Sequence, residues 1–343
     1  MKCSACNNTL PLFSLALLTF FCFYAVNAQP FAEFVAQCPS SHVNFDDPIV
    51  YPGRPGQSHS HTFYATVGVD ADTVFADLAD GETTCSVPED HSSYWHPTLT
   101  VDGERCMEDR TFFYYQNSHN EPEKVIPFPR GLKVIAGNST ALESFDADNV
   151  HWACLNENKA SVEIPTCEEA LELFVRFPSC WDGLNRDSPD HKRHMAYPDD
   201  GECPETHPNR VPSLEVKIIF TCKGGPGTEI SSGTPYSLHA DFWNGWEDEA
   251  MEMRIRNCIW QTDKCGTDGI PQNSEPADQS VPFEPRVVPA GTPNYGDTVE
   301  DPLDGGDGGD GEDGDDGDDG DDGDDGGDGG DGGDGTRLTS FLF

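Results

Sequence analysis

The sequence predicts a mainly β fold: a disulfide-stabilised sandwich or jelly-roll-like domain with long loops, followed by a disordered acidic tail. Three observations lead there. Short runs of β-branched and aromatic residues recur between Pro, Gly and Asp breaks. Ten cysteines lie in the stretch that holds those runs. The C-terminal region is an almost pure Asp/Gly tract, which cannot bury a core.

Residues 1–28 read as a secretory signal. Lys2 supplies a basic start, Leu10 to Val26 is largely apolar, and Val26-Asn27-Ala28 sets up cleavage before Gln29. The apolar run is short for a membrane span, and no later segment is a candidate. Phe341-Leu342-Phe343 is too short for a GPI signal. The expected location is therefore extracellular. Cys3, Cys6 and Cys22 leave with the signal. Cys38, Cys85, Cys106, Cys154, Cys167, Cys180, Cys203, Cys222, Cys258 and Cys265 remain. An even number in a secreted chain implies up to five disulfides, whose pairing stays open at this point. No CxxC pair supports a cysteine metal site.

Residues 29–265 form the expected β domain. Thr62 to Val67, Arg110 to Gln116, Leu132 to Ala136 and Val216 to Phe220 are strand-like runs. Leu171, Leu173, Val175 and Phe177 alternate with Glu172 and Arg176, a period of two broken only by Phe174. Asp47-Pro48, Pro52-Gly53, Pro129-Arg130-Gly131 and Asp182-Gly183 mark turns between runs. Glu247 to Trp260 is the best helix signal, though only partly periodic. Asn138-Ser139-Thr140 is an N-glycosylation sequon.

Residues 266–303 are rich in Pro, Gly, Ser and acid, and read as a linker. Residues 304–335 are the Asp/Gly tail, with a short segment, 336–343, after it. The tail's carboxylates are Glu312 and fifteen aspartates: Asp304, Asp307, Asp310, Asp313, Asp315, Asp316, Asp318, Asp319, Asp321, Asp322, Asp324, Asp325, Asp328, Asp331 and Asp334. Carboxylates are hard ligands for calcium, but tight sites need six to eight positioned oxygens. Glycine spacers prevent that preorganisation. The tail is expected to bind many calcium ions at about millimolar strength. A calcium roll is not expected, because the apolar position of its nine-residue repeat is missing. The formal net charge is −42, and −26 without the sixteen tail acids. Such acidity makes nucleic acid and anionic membranes poor partners, and no nucleic-acid partner is expected.

The histidines fall in dense stretches: Ser58 to Phe63, Asp90 to Pro97, Ser188 to Pro198 and Leu238 to Trp246. With Asp47-Pro48-Ile49-Val50, His59-x-His61-Thr62-Phe63, Ser93-Tyr94-Trp95-x-Pro97-Thr98-Leu99, the Gly131 to Gly137 run, Phe177 to Gly183, Ser188-Pro189-Asp190-His191 and His239-Ala240-Asp241, the chain resembles the secreted "domain of unknown function 1996" family over about residues 44–250. The resemblance implies a secreted, disulfide-bearing domain, sometimes fused to carbohydrate-binding modules. It implies no activity, and the Asp/Gly tail is no part of it.

The residues themselves suggest chemistry. His59 and His61, at i and i+2 on a strand, face one side, as do His239 and Asp241. Together they offer a His₃-carboxylate shell for zinc or copper, able to activate water against a glycosidic or ester bond. Against this, two histidines beside Ser and Thr also suit a polar loop. Asp190 and His191 are the candidate acid–base residues, or equally a turn cap and a solvated ring. Asp46, Asp47, Asp90 and Asp182 are further acids for a glycosidase pair. Trp95, Trp152, Trp181, Trp243 and Trp246 are expected in the core before a sugar-stacking platform. No G-x-S-x-G elbow accompanies the serines. Two functional readings follow. One is a secreted acidic extracellular-matrix protein of the biomineral or shell-matrix type, meeting calcium or a mineral surface through its tail. The other is a metal-assisted enzyme or binding module for polysaccharide, working through the His/Asp cluster.

Overall fold

The computed structural model describes residues 32–143, 148–157 and 159–295. The signal segment and the Asp/Gly tail lie outside the described residues. In chain order the strands are β1 (Glu33–Ala36), β2 (Ser40–Asn44), β3 (His61–Ala65), β4 (Ser93–Pro97), β5 (Leu99–Val101), β6 (Glu104–Arg105), β7 (Glu108–Gln116) and β8 (Lys133–Gly137). There follow β9 (Val150–Cys154), β10 (Leu171–Arg176), β11 (Cys180–Trp181), β12 (Met195–Ala196), β13 (Asn209–Arg210), β14 (Ser213–Phe220), β15 (Thr228–Ile230) and β16 (His239–Trp243). Each expected run became a strand, shifted by one to three residues at its ends.

Two antiparallel five-stranded sheets carry the domain. Their orders are β1-β7-β14-β10-β9 and β2-β3-β4-β16-β8. The pleat sends alternate residues to opposite faces. Phe113, Tyr115, Leu173, Val175, Val216 and Ile218 from the first sheet therefore meet Tyr64, Tyr94, Val134, Ala136, Ala240 and Phe242 from the second. The Tyr94 and Phe113 rings stand 4.1 Å apart across this core. A polar thread crosses it. The Tyr94 hydroxyl donates to Asp90 at 2.7 Å and lies 2.5 Å from the Tyr115 hydroxyl, to which Trp246 Nε1–H donates at 2.8 Å. Burial pushes Asp90 up to about 6 despite the hydrogen bonds from Tyr94 and Ser92. Trp95, Trp152, Trp181, Trp243 and Trp246 are all buried.

The second sheet has another layer outside it. The 45–60 loop and α1 (Phe75–Ala79) cover its outer face. Ile49, Val69, Phe75 and Leu78 pack there on Phe63, Trp95, Ile135 and Trp243. That layer roofs the candidate site.

The cysteines pair as Cys38–Cys85, Cys106–Cys222, Cys154–Cys167, Cys180–Cys203 and Cys258–Cys265. The stretch expected to be helical is α2 (Asp248–Arg254) running into a π-helix, Ile255–Trp260. A π segment advances its side chains differently from an α-helix, which explains the imperfect 3.6-residue period. Among the described residues no helix is long and apolar enough to cross a membrane.

The two ends of the domain meet. Glu33 N–H donates to the Asp263 carbonyl at 3.0 Å, and Cys265 N–H donates back to Glu33 at 2.8 Å. Beyond this clasp, residues 266–295 run over the surface without strand or helix. Side chains of the domain hold them. Asn209 exchanges two 2.6 Å hydrogen bonds with the Val287 backbone. Asn185 binds Pro293 O and Tyr295 N, and Arg256 lies 4.1 Å over the Phe283 ring.

Candidate metal centre

The outer face of the second sheet brings the predicted quartet together. β3 opens at His61, and His59 sits in the preceding loop, not on the strand as expected. The two rings still lie only 4.3 Å apart. On β16, His239 and Asp241 share a face, with His239 Nε2 3.8 Å from Asp241 Oδ2. The His59 and His239 ring centroids are 5.1 Å apart, and those of His61 and His239 are 5.8 Å apart. One ligand atom from each of His59, His61 and His239 falls within 4.8 Å of the others.

The hydrogen bonds fix how two of the rings present themselves. His61 Nδ1 meets the Asp46 carbonyl at 2.9 Å, and His239 Nδ1 meets the Ser237 carbonyl at 2.7 Å. A carbonyl only accepts, so Nδ1 carries the proton in each ring. The lone pair of a neutral ring is then on Nε2. Such Nδ1–H···O=C bonds are the outer support that metal-ligating histidines use. Neutrality is also enforced. Burial lowers His59 to about 4 and His239 to about 3, and drives His61 well below its ordinary value. All three are ligand-ready near neutral pH.

Their free atoms have no other work. His59 Nε2, His61 Nε2 and both Asp241 carboxylate oxygens are buried without a hydrogen-bond partner among the described residues. Leaving one such atom unsatisfied costs about 1–3 kcal/mol. Burial raises Asp241 well above the usual carboxylate range, and nearby Asp47 pushes the same way, against Lys192. The 3.8 Å between His239 Nε2 and Asp241 Oδ2 is too long for a hydrogen bond. A cation placed among these atoms would satisfy the imidazoles and hold Asp241 ionised. The donor set, three imidazoles and a carboxylate, suits zinc or copper.

Two residues not singled out in the sequence shape the centre. Gly137 pairs with His239 across β8 and β16. Its φ is +91°, and a Cβ there would come within 2.7 Å of His239 Cα. Only glycine lets the strands close at this point. Lys192 Nζ donates to the Gly137 carbonyl at 2.5 Å, which brings an ammonium to the rim. In the adjacent sequon, Asn138 Oδ1 accepts from Thr140 N and Oγ1.

The other predicted acids serve turns. Asp190 accepts from Ser188 Oγ and from the Lys192 and Arg193 amides, and pairs with Arg193 at 3.1 Å. Burial opposes its ionisation, but the bonds from Arg193 and Ser188 hold it at about 2. His191 lies 2.7 Å from Asp187, its carboxylate partner. Asp46 receives Gly56 N and Asn44 Nδ2, Asp47 the Ile49 and Val50 amides, and Asp182 the Leu184 and Asn185 amides. Among the described residues, two further His/Cys/Asp groupings include both sulfurs of a disulfide, Cys180–Cys203 or Cys38–Cys85, and so lack a thiolate.

A family model described as "Domain of unknown function (DUF1996)" matches residues 47–246, which is more than half of the chain and includes the whole quartet. No curated protein and no solved structure matches the sequence.

Proposed function

This chain belongs to the DUF1996 family, and we propose that it is a secreted metalloprotein. Its domain holds one divalent transition-metal ion of the zinc or copper class through His59, His61 and His239, with Asp241 completing the donor set. One observation carries the reading. Four buried polar atoms of His59, His61 and Asp241 lack partners among the described residues, beside a third imidazole whose Nδ1 is already committed. When bound, such an ion supplies a Lewis acid that lowers the pKa of a coordinated water. Asp46 and Ser237 orient two of the rings through their carbonyls. Burial disfavours the charged form of Asp241, and a cation at the centre would favour it. Hydrolysis of a glycosidic or ester bond in an extracellular polysaccharide is the reaction class this set serves.

The tail adds a second activity, supported by composition alone. Fifteen Asp and one Glu, with no Lys or Arg, make residues 304–335 a weak multivalent calcium binder suited to an acidic matrix or mineral surface. Secretion is supported by the signal-like N-terminus and by five disulfides, which persist in oxidising compartments.

The test is metal analysis of the purified mature chain, with calcium titration by calorimetry on that chain and on one ending at Leu303. About one transition-metal ion per chain, lost in His239→Ala, is expected in both forms. Many weak calcium sites are expected only with the tail. A chain that neither carries nor takes up zinc or copper would overturn the metal centre, and equal calcium uptake by both forms would overturn the role of the tail.

A further inference from the structure

We propose that the metal centre has an adjoining subsite for a small carboxylate, held between the ion and the ammonium of Lys192, and that its substrate is an ester rather than a glycoside. The inference rests on the metal reading above and extends it to the ligand.

A built loop places Lys192. Residues 186–192 run along the free edge of β8. There Lys133 N–H donates to the Arg186 carbonyl at 2.8 Å, and Ile135 N–H to the His191 carbonyl at 3.1 Å. The loop is braced from within. His191 N–H donates to the Ser188 carbonyl, Asp190 takes the Lys192 and Arg193 amides, and Asp187 meets the His191 ring. His191, directly before Lys192, has a φ of +57°, a left-handed conformation uncommon outside glycine. Lys192 Nζ then reaches the carbonyl of Gly137, the cross-strand partner of His239. Among the described residues no carboxylate pairs with this ammonium, although His191 and Arg193 on either side each have one. Its charge is felt at the centre: it lowers His239 and opposes the burial that raises Asp241.

The charges there do not balance once an ion is bound. Three neutral imidazoles bring none, and an ionised Asp241 brings one negative charge. A divalent ion brings two positive charges and Lys192 one more. Burial holds nearby Asp47 toward its neutral form, and even an ionised Asp47 leaves a positive surplus. Such a surplus is costly where His61, His239 and Asp241 are all buried. An anion relieves it. His59, Gly137, Asn138 and Lys192 are only half-buried, so the rim they form is the side from which one enters.

The donors select a carboxylate. One oxygen meets the ion and the other the ammonium, whose protons are not all taken by Gly137. Neighbouring cations are committed, Arg193 to Asp190 at 3.1 Å and Lys133 to the Trp243 ring at 4.3 Å. A phosphate, with more charge and more oxygens, is served less well. Hydrolysis of an ester breaks the acyl carbon–oxygen bond and joins the water oxygen to the acyl carbon. One water proton ends on the alcohol, and the acid loses the other to leave a carboxylate. Cleavage of a glycosidic bond releases no carboxylate. The subsite therefore fits the acyl half of an ester.

The experiment loads the full mature chain with cobalt(II), whose visible bands report the ligands of the ion, and titrates it at neutral pH with acetate, galacturonate and inorganic phosphate. Acetate should shift the bands and saturate. Lys192→Met should weaken acetate at least tenfold at unchanged cobalt content, and Lys192→Arg should keep most of the affinity, with thermal melts showing that both variants are folded. Bound cobalt without an acetate response, equal acetate affinity in Lys192→Met, or tighter binding of phosphate would overturn the subsite while leaving the metal centre in place. Tighter binding of galacturonate than of acetate would move the carboxylate to a uronate sugar and overturn the ester assignment. A chain that takes up no cobalt would overturn the metal reading itself, and the subsite with it.

Discussion

Replacing His61 by Phe should affect the protein in opposite ways with and without metal. His61 is fully buried and ends in an Nε2 that no described group satisfies. Removing that atom recovers about 1–3 kcal/mol. The same change gives up the Nδ1–H bond to the Asp46 carbonyl, worth about 1 kcal/mol. Phenylalanine has nearly the same shape, and Phe63 already stands 6.1 Å from this ring. In EDTA the variant should therefore lie within about 2 kcal/mol of the native protein. With zinc a hundredfold above its dissociation constant, the native protein gains about 2.7 kcal/mol and the variant gains nothing. For a domain of this size that is a melting shift of roughly 5–10 °C on adding zinc. Thermal melts of both proteins in EDTA and in zinc read all four values. A variant that keeps the zinc shift, or a native protein without one, would refute the assignment. A variant that loses the same large stability in both conditions would show that His61 is a core residue only.

Other outcomes follow from named groups. Burial lowers His96 and His119 to about 4, so both enter the fold neutral. Their contribution is present above pH 6.5 and is lost as pH falls through 4, by up to about 3 kcal/mol each. Asp90, raised to about 6, acts in the opposite sense: its contribution is full below about pH 4 and lost as pH rises through 6, offsetting one histidine. Urea denaturation in chelator should show a net loss of stability from pH 7 to pH 4, and a flat or rising profile would contradict the neutral histidines. Gly137→Ala should cost 2 kcal/mol or more, since it combines a positive φ with contact on His239. It should also lower bound zinc; unchanged zinc content would detach Gly137 from the centre.

Much of this was legible in the chain because it depends on local periodicity. The alternation in residues 171–177 gave β10 and its buried side. Its one exception, Phe174, lies half-buried on the polar side of that strand. The i, i+2 spacing placed His239 beside Asp241, but that geometry says nothing of which strands neighbour each other. The approach of His59 and His61 to His239 depends on the order β3-β4-β16, which brings together residues nearly 180 apart in the chain. The disulfide pairing depends on the same long-range order, as Cys106–Cys222 illustrates. The tryptophans were ambiguous by composition, and the packing between and beneath the sheets claimed all five. Lys192 lay in plain view in a basic run, yet only the fold brings its ammonium to the Gly137 carbonyl.

The way the chain closes on itself has a mechanical side. Tension arriving from the C-terminal side meets residues 266–295 first, and these are held by side-chain clasps at Asn209, Asn185 and Arg256. Peeled away, these thirty residues extend to at most about 100 Å. Only then does the load reach the Glu33–Asp263–Cys265 clasp, where both ends of the domain sit side by side. A protein anchored by its tail to a moving surface could be stretched that far while both sheets stay unloaded.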